Sequence, residues 1–140
     1  MRILLDTCAV SELTRPVPNA AVAKAISSSS GEDLFLSVLT IGEIAHGVSL
    51  LPRGNRRRSL QAWLDALEHD YADRIIGIDL DTARIWGEAT AAAKSQGKAI
   101  PAIDGLIAAT ARQHGLRVMT RNAADFEAAG ASVINPWRDS

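Results

Sequence analysis

Four of the sixteen acidic residues differ from the rest because each follows or interrupts an apolar run. Asp6 directly follows the first apolar run of the chain, Ile3–Leu5. Glu43 and Asp104 lie near the starts of two apolar segments with helical spacing, and Asp125 comes a few residues after another short apolar run. In an open parallel sheet, the carboxyl ends of strands and the starts of the following helices share one edge. We therefore expect these four carboxylates to meet.

Carboxylates packed together need a compensating partner, because like charges and burial both raise the pKa of an acid. Divalent cations remove that cost. Mg²⁺ prefers oxygen ligands and uses few carboxylates together with water and substrate phosphate oxygens. The pattern therefore favours a site for a hard divalent cation such as Mg²⁺.

Helix capping offers another explanation for each acid taken singly. The run from Thr40 to Glu43 matches a capping box, and Asn122 has the spacing of a cap for a helix with Asp125 in its first turn. Asp104 and Asp6 can also cap helices. Four independent caps, however, need not share one edge of a sheet.

Other catalytic patterns are incomplete. Glu43 and His46 have the Glu-x-x-His spacing of di-iron bundles, but the sequence has no second copy. His69 and His114 have no apparent serine or cysteine partner, and Cys8 is interpreted as a small buried residue near the sheet edge. The chain also has no glycine-rich phosphate loop.

Short apolar runs alternate with longer segments of helical spacing, which predicts an α/β fold with a parallel sheet covered on both faces. We expect strands at Ile3–Leu5, Leu34–Leu36, Ile75–Ile78, Arg117–Met119 and Ser132–Ile134. We expect helices at Ala20–Ile26, Ile41–Leu51, Leu60–Tyr71, Thr82–Ala93 and Ile103–His114.

Length and composition limit the classes of protein that fit. The chain has 140 residues, 47% of them hydrophobic, which is enough for one domain with a core. A single cysteine excludes an internal disulfide and favours a reducing compartment. The apolar runs are too short for a membrane span, so we expect a cytoplasmic protein. The net charge of −1 gives no general attraction to nucleic acid.

One basic cluster is present, at Arg53 and Arg56–Arg58. Cations at the start of a helix oppose the helix dipole, so binding of phosphate or of an acidic partner is an alternative to a solvated surface. Arg121 lies nearer to the expected acid cluster, two residues after the strand that ends at Met119.

Taken together, these motifs resemble the PIN-domain nucleases, in particular the VapC and FitB branch of bacterial toxin–antitoxin ribonucleases. The resemblance covers nearly the whole chain. It is carried by LLDTCAVSEL, LFLSVLTIGEIAHGVSLLP, IDLDTARIWGEA, PAIDGLIAATARQHGLRVMTRNAADF and the terminal NPW. It implies one PIN domain over residues 1–140, folded as a three-layer α/β/α sandwich with a central, mainly parallel sheet of four or five strands.

The resemblance also implies roles. Asp6, Glu43, Asp104 and Asp125 match the acids that bind Mg²⁺ or Mn²⁺, and Thr120 and Asn122 match polar positions beside the last acid. Some relatives carry an acid in place of Asn122. A cognate antitoxin similar to VapB or FitA is implied as a partner, together with a homodimer or a dimer of dimers.

The function expected from the residues and the resemblance together is metal-dependent endoribonuclease activity, in which activated water hydrolyses RNA. Arg56, Arg57, Arg58 and Arg121 are candidates for contact with RNA or antitoxin. Two alternatives stay open, namely a module that binds nucleic acid or a regulator without cleaving, and a metal-dependent phosphatase.

Overall fold

The computed structural model describes residues 1–138 and contains a five-stranded, fully parallel sheet. The strand order is β3-β2-β1-β4-β5. The strands are β1 (Ile3–Leu5), β2 (Leu34–Ser37), β3 (Ile75–Ile76), β4 (Arg117–Met119) and β5 (Val133–Ile134). The predicted α/β fold is confirmed, and each predicted strand is present, with β3 and β5 shorter than expected.

Seven α-helices connect and follow the strands within the described residues. They are α1 (Thr7–Glu12), α2 (Ala20–Ser27), α3 (Val38–Ser49), α4 (Asn55–Asp70), α5 (Leu80–Ser95), α6 (Ala102–His114) and α7 (Ala123–Ala128). All five expected helices are present, but α3 and α4 begin three and five residues earlier than their apolar spacing indicates.

The early start of α3 has a local cause. Ser37 is its N-cap, and the Ser37 hydroxyl accepts a hydrogen bond from the backbone N–H of Leu39 at 3.0 Å. Thr40 is therefore inside the helix and fully buried. The alternative in which Thr40 and Glu43 form a capping box is therefore wrong, because a serine at the strand end already supplies the cap.

Alternation along β1 divides the core between the two faces of the sheet, as the pleat requires. Ile3 and Leu5 pack in one cluster with residues of α1, α3 and α4. Leu4 packs in the other cluster with α6, α7 and the Phe126 ring. Helices therefore cover both faces, which gives the three layers that the sequence predicts and holds the strand ends at a fixed edge.

Helices α5 and α6 approach closely at Gly105. A Cβ atom at this position would lie 3.0 Å from Cδ1 of Trp86, which is tighter than most Cβ contacts, so the ring would have to shift by a few tenths of an ångström. Gly105 is buried and immediately follows Asp104. The missing side chain thus lets the Trp86 ring pack against the first turn of α6, the turn that carries one of the four acids.

No helix within residues 1–138 combines the length and the apolar character that a membrane crossing requires.

Substituting Gly105→Ala should lower the free energy of unfolding by about 1–3 kcal/mol, because the added methyl group overpacks the Trp86 contact. Adding Trp86→Phe should recover part of the loss, since the smaller ring lacks Nε1, which would lie 3.1 Å from the added methyl group and makes no hydrogen bond among the described residues. Urea denaturation measures both effects.

The control for this experiment is Gly87→Ala in α5, where a Cβ would meet nothing within 4 Å. This variant should be neutral or more stable. A Gly105→Ala protein that is as stable as the parent would show that the helix contact is loose.

Candidate active site

The four acids sit where strand ends meet helix starts. Asp6 follows β1 and is the N-cap of α1, and Glu43 lies in the second turn of α3, the helix that follows β2. Asp104 and Asp125 lie in the first turns of α6 and α7. The two carboxylates on α6 and α7 therefore approach the same edge of the sheet as Asp6 and Glu43.

The negative charges of the other acids act on Asp104. The pKa of Asp104 is raised from 3.8 to about 6, first by burial and then by the negative charges of Asp6, Asp125 and Glu43. Among residues 1–138, none of the four acids forms an ion pair. The charges of the other three acids therefore act on Asp104, and no ion pair within the described residues offsets them.

Asp6 is the most buried member, with 4% of its surface exposed. Burial raises its pKa, while hydrogen bonds from Cys8, Thr120 and the Ala9 backbone N–H act in the opposite direction. The Ala9 N–H donates to Asp6 Oδ1 at 3.0 Å. The capping explanation is thus correct for Asp6, and the same carboxylate also belongs to the acid cluster.

Capping does not explain the other three acids. Asp104 is the third residue of α6, whose N-cap is Pro101, and no side chain caps that helix. Asn122 is the N-cap residue of α7 but makes no side-chain capping bond. Asp104 and Glu43 are therefore not caps, whereas Asn122 does mark the start of α7 with Asp125 in its first turn, although the Asn122 side chain makes no capping bond.

Glu43 is held by hydroxyl groups. Thr7 donates a hydrogen bond to Glu43 Oε1 at 2.5 Å, and the Thr7 hydroxyl also lies 3.4 Å from the Thr40 hydroxyl. Thr7 immediately follows Asp6, so this contact joins the β1–α1 turn to α3. Thr7 is absent from the residues predicted from the sequence, although a hydroxyl next to an acid at a strand end is a usable signal.

Cys8 is a second residue whose role was missed. Its thiol donates to Asp6 Oδ1 at 2.9 Å and accepts from the backbone N–H of Arg121 at 3.3 Å. Burial and the neighbouring Asp6 carboxylate raise the pKa of Cys8 to about 12. Cys8 is therefore a neutral hydrogen-bonding bridge between β1 and the segment after β4, which is more than the small buried residue expected.

Thr120 and Asn122 lie beside this bridge. Thr120 is fully buried, and its hydroxyl accepts a hydrogen bond from the Asn122 backbone N–H at 2.9 Å. The same hydroxyl is 3.9 Å from the Cys8 sulfur. The Asn122 side chain is exposed. Thr120 thus orders the turn between β4 and α7, the helix that carries Asp125.

The donor set fits a hard divalent cation in chemistry, since it consists of carboxylate and hydroxyl oxygens with unbalanced negative charge. Within the described residues, no group of three or more Asp, Glu, His or Cys side chains is close enough to hold one ion together. An ion at this edge would therefore take one or two of the carboxylates directly. Water and substrate oxygens would complete its coordination, as is common for Mg²⁺.

The predicted basic residues are not equivalent. Arg56 lines a groove that also contains Glu43 and Thr7. Arg57 donates to the Leu51 carbonyl at 3.3 Å and lines a separate hollow with Arg58. Among these arginines, Arg56 thus has the position nearest to the acids.

Arg121, a predicted contact residue, and His46, the histidine of the Glu-x-x-His motif, both lie at the surface. The Arg121 guanidinium lies over the Trp137 ring, 5.0 Å from its centroid, so the arginine is engaged beside the site. His46 is exposed and lines a hollow with Glu43 and Ile103. It has no second Glu-x-x-His copy to complete a di-iron site.

Comparison with known proteins identifies relatives over the whole length of the chain. The PIN domain family matches residues 3–131. The chain is 42% identical to VapC ribonuclease Y4jK of Sinorhizobium fredii (strain NBRC 101917 / NGR234), covering 96% of this chain and 97% of the relative. It is 43% identical to toxin FitB of Neisseria gonorrhoeae (strain ATCC 700825 / FA 1090), covering 98% and 99%.

Solved structures of related proteins share the fold of this chain. The fold matches a chain of FitAB bound to an IR36 DNA fragment with a TM-score of 0.94 and 40% identity. That match covers 99% of this chain and 97% of the other.

Removing the Asp104 charge should stabilise the metal-free protein at neutral pH. Because the folded-state pKa is raised to about 6, the folded parent binds more protons than the unfolded chain between pH 3.8 and about 6. Its stability therefore falls as pH rises through that window. Asp104→Asn should be more stable by about 1 kcal/mol above pH 6, after allowance for solvent screening, with no difference below about pH 4.

Denaturant titrations in EDTA from pH 4 to 8 measure this difference. Asp65→Asn, at an exposed position of α4, is the matched control and should show no such pH-dependent gain. A difference that is constant with pH, or a parent more stable than Asp104→Asn at pH 7, would contradict the proposed repulsion.

Proposed function

The chain belongs to the VapC and FitB branch of the PIN-domain family, and from this we propose that it is a metal-dependent endoribonuclease acting as the toxin of a type II toxin–antitoxin system. The observation that carries the proposal is the group of four carboxylates around Asp104, which no described cation neutralises. Such a group is costly for the folded protein alone and useful for holding a cation against a phosphodiester.

We assign the ion, Mg²⁺ or Mn²⁺, chiefly to Asp6 and Asp104. Among the neighbouring charges, Asp6 contributes most to the raised pKa of Asp104, which supports this pair. Glu43 and Asp125 act around it, as direct ligands of a second ion or through water. When bound, the metal supplies Lewis-acid activation of water and neutralises charge that develops on the phosphoryl oxygens.

The surrounding residues fix the carboxylates before substrate binds. Cys8 and the Ala9 N–H both hold Oδ1 of Asp6. Thr7 holds Glu43, and Thr120 orders the turn that leads to Asp125. Preorganised charges of this kind need little rearrangement during reaction, which is a major source of catalytic effect.

Water is the nucleophile in this proposal. The Cys8 thiol is a poor candidate, because a pKa of about 12 keeps it protonated at neutral pH. The attacking water forms a bond to phosphorus while the bond from phosphorus to the 3′ oxygen breaks. The products are a 5′-phosphate and a 3′-hydroxyl, and the ribose 2′-hydroxyl takes no part.

The biological setting is proposed from the relatives. The matched FitAB structure is described as bound to DNA, and the relatives are named as a ribonuclease and a toxin. We propose that this chain acts on RNA in the cytoplasm, forms a homodimer or a dimer of dimers, and is inhibited by a cognate antitoxin similar to VapB or FitA. The groove lined by Arg56 and Glu43 is a contact surface for RNA or antitoxin.

Purified protein incubated with total bacterial RNA should produce new ends with Mg²⁺ or Mn²⁺ and none with EDTA. Mapping should find 5′-phosphates and 3′-hydroxyls. Asp104→Asn should reduce cleavage by at least about 100-fold while its melting transition persists, because the substitution removes a ligand charge with little change in volume.

Two outcomes would contradict the function. Cyclic 2′,3′-phosphate ends that persist in EDTA would indicate acid–base catalysis by a histidine. Turnover of p-nitrophenyl phosphate without RNA cleavage would indicate a phosphatase.

A further inference from the structure

A cavity of about 660 Å³ lies between α5 and the loop of residues 96–101. We call it the α5 cavity. Its lining comprises Trp86, Gly87, Thr90, Ala91, Lys94, Gly97, Lys98, Ala99 and Ile100. No acidic side chain lines it, in contrast with the edge that carries the four carboxylates. Its size suits a group of about one nucleotide.

The charge of the cavity is positive. The chain has three lysines, and two of them, Lys94 and Lys98, line this one cavity. Both are exposed, and neither forms an ion pair within the described part of the chain. Two ammonium groups at a cavity whose lining carries no acid attract phosphate, and they do so without regard to base sequence.

The cavity also has an apolar wall that includes a large aromatic ring. Trp86 and Ile100 line it and are only partly buried. One edge of the Trp86 ring, formed by Cδ1 and Nε1, packs against Gly105 of α6, and this contact restricts the motion of the ring. A rigid aromatic surface next to cations is the usual arrangement for a nucleotide of a single strand, whose base stacks while its phosphate meets the charge.

The α5 cavity adjoins the helices that carry two of the acids. Its loop continues directly into α6, where Asp104 lies four residues after Ile100. Lys98 also lines a neighbouring hollow formed with Ala124 and Glu127 of α7, the helix that carries Asp125. An RNA strand whose scissile phosphate lies at the four carboxylates can therefore extend over the α5 cavity.

We propose that the α5 cavity is a nucleotide subsite for single-stranded RNA beside the scissile bond. A phosphate of the flanking nucleotide binds Lys94 and Lys98, and its base stacks against the wall formed by Trp86. An acidic peptide would satisfy the lysines and leave the aromatic wall unused, so a nucleotide fits the combined chemistry better. The inference rests on the proposed function and names how that site holds its substrate.

The test compares Lys94→Ala/Lys98→Ala with Lys24→Ala, which alters the remaining lysine, an exposed residue of α2. The probe is a fluorescent oligoribonucleotide of about eight residues, titrated in EDTA so that binding is measured without cleavage. The double variant should bind about 10-fold more weakly, and its slope of log affinity against log salt should fall by about 1.4 for two lost phosphate contacts. Lys24→Ala should change neither quantity.

A second measurement tests the aromatic wall. Trp86→Leu should weaken oligoribonucleotide binding while Trp86→Phe keeps most of it, because stacking needs a ring. If the leucine protein does not fold, the lysine pair alone decides the proposal. In cleavage assays, the lysine double variant should raise KM with little change in kcat, since it touches neither metal ligands nor the reacting atoms.

Three results would overturn the inference. Unchanged affinity and salt slope in the double variant, with the parent binding RNA, would remove the subsite and leave the nuclease standing. A loss of dimerisation or of antitoxin binding instead, with RNA affinity unchanged, would assign the cavity to a protein interface. A parent that neither binds nor cleaves RNA would overturn both the inference and the proposed function.

Discussion

The repulsion between carboxylates at one edge of the sheet is the constraint on which the other local features depend. Burial and the charges of three neighbouring acids raise the pKa of Asp104 to about 6, so near neutral pH the fold holds together groups that repel each other. The folded protein bears this cost through its two apolar clusters, one on each face of the sheet. Those clusters fix the strand ends and helix starts, and the carboxylates have little freedom to separate.

Hydrogen bonds then set the direction of the individual side chains. Asp6, the most buried acid, accepts hydrogen bonds from the Cys8 thiol and the Ala9 N–H. Glu43 accepts a hydrogen bond from the Thr7 hydroxyl. These donors come from a few consecutive residues in the β1–α1 turn, which therefore orients two of the four acids. The first turn of α6 positions a third, and the Gly105 contact with Trp86 locates that turn against α5.

The sequence was sufficient to predict what depends on local pattern. Short apolar runs predicted all five strands, and the position of each acid relative to those runs predicted the shared edge. The sequence was less informative where one polar side chain determines where a helix starts or which segments are joined. Ser37 starts α3 before its apolar spacing begins, so the alternative in which Glu43 belongs to a capping box was wrong. The Cys8 bridge depends on a contact with Arg121 across 113 positions, which no local pattern contains. The distances between acids also follow from the strand order and helix packing, and these are properties of the whole fold.

The most direct test of this account is the number of protons released when Mn²⁺ binds. Calorimetric titrations in buffers of different ionisation enthalpy measure that number. An ion that displaces the proton of Asp104 should release about half a proton from this residue at pH 6 and almost none from it at pH 8. The Asp104→Asn protein should bind more weakly and lose this release. Absence of Mn²⁺ binding, or binding with the same affinity and proton release in Asp104→Asn, would contradict a metal site built on the repelling carboxylates.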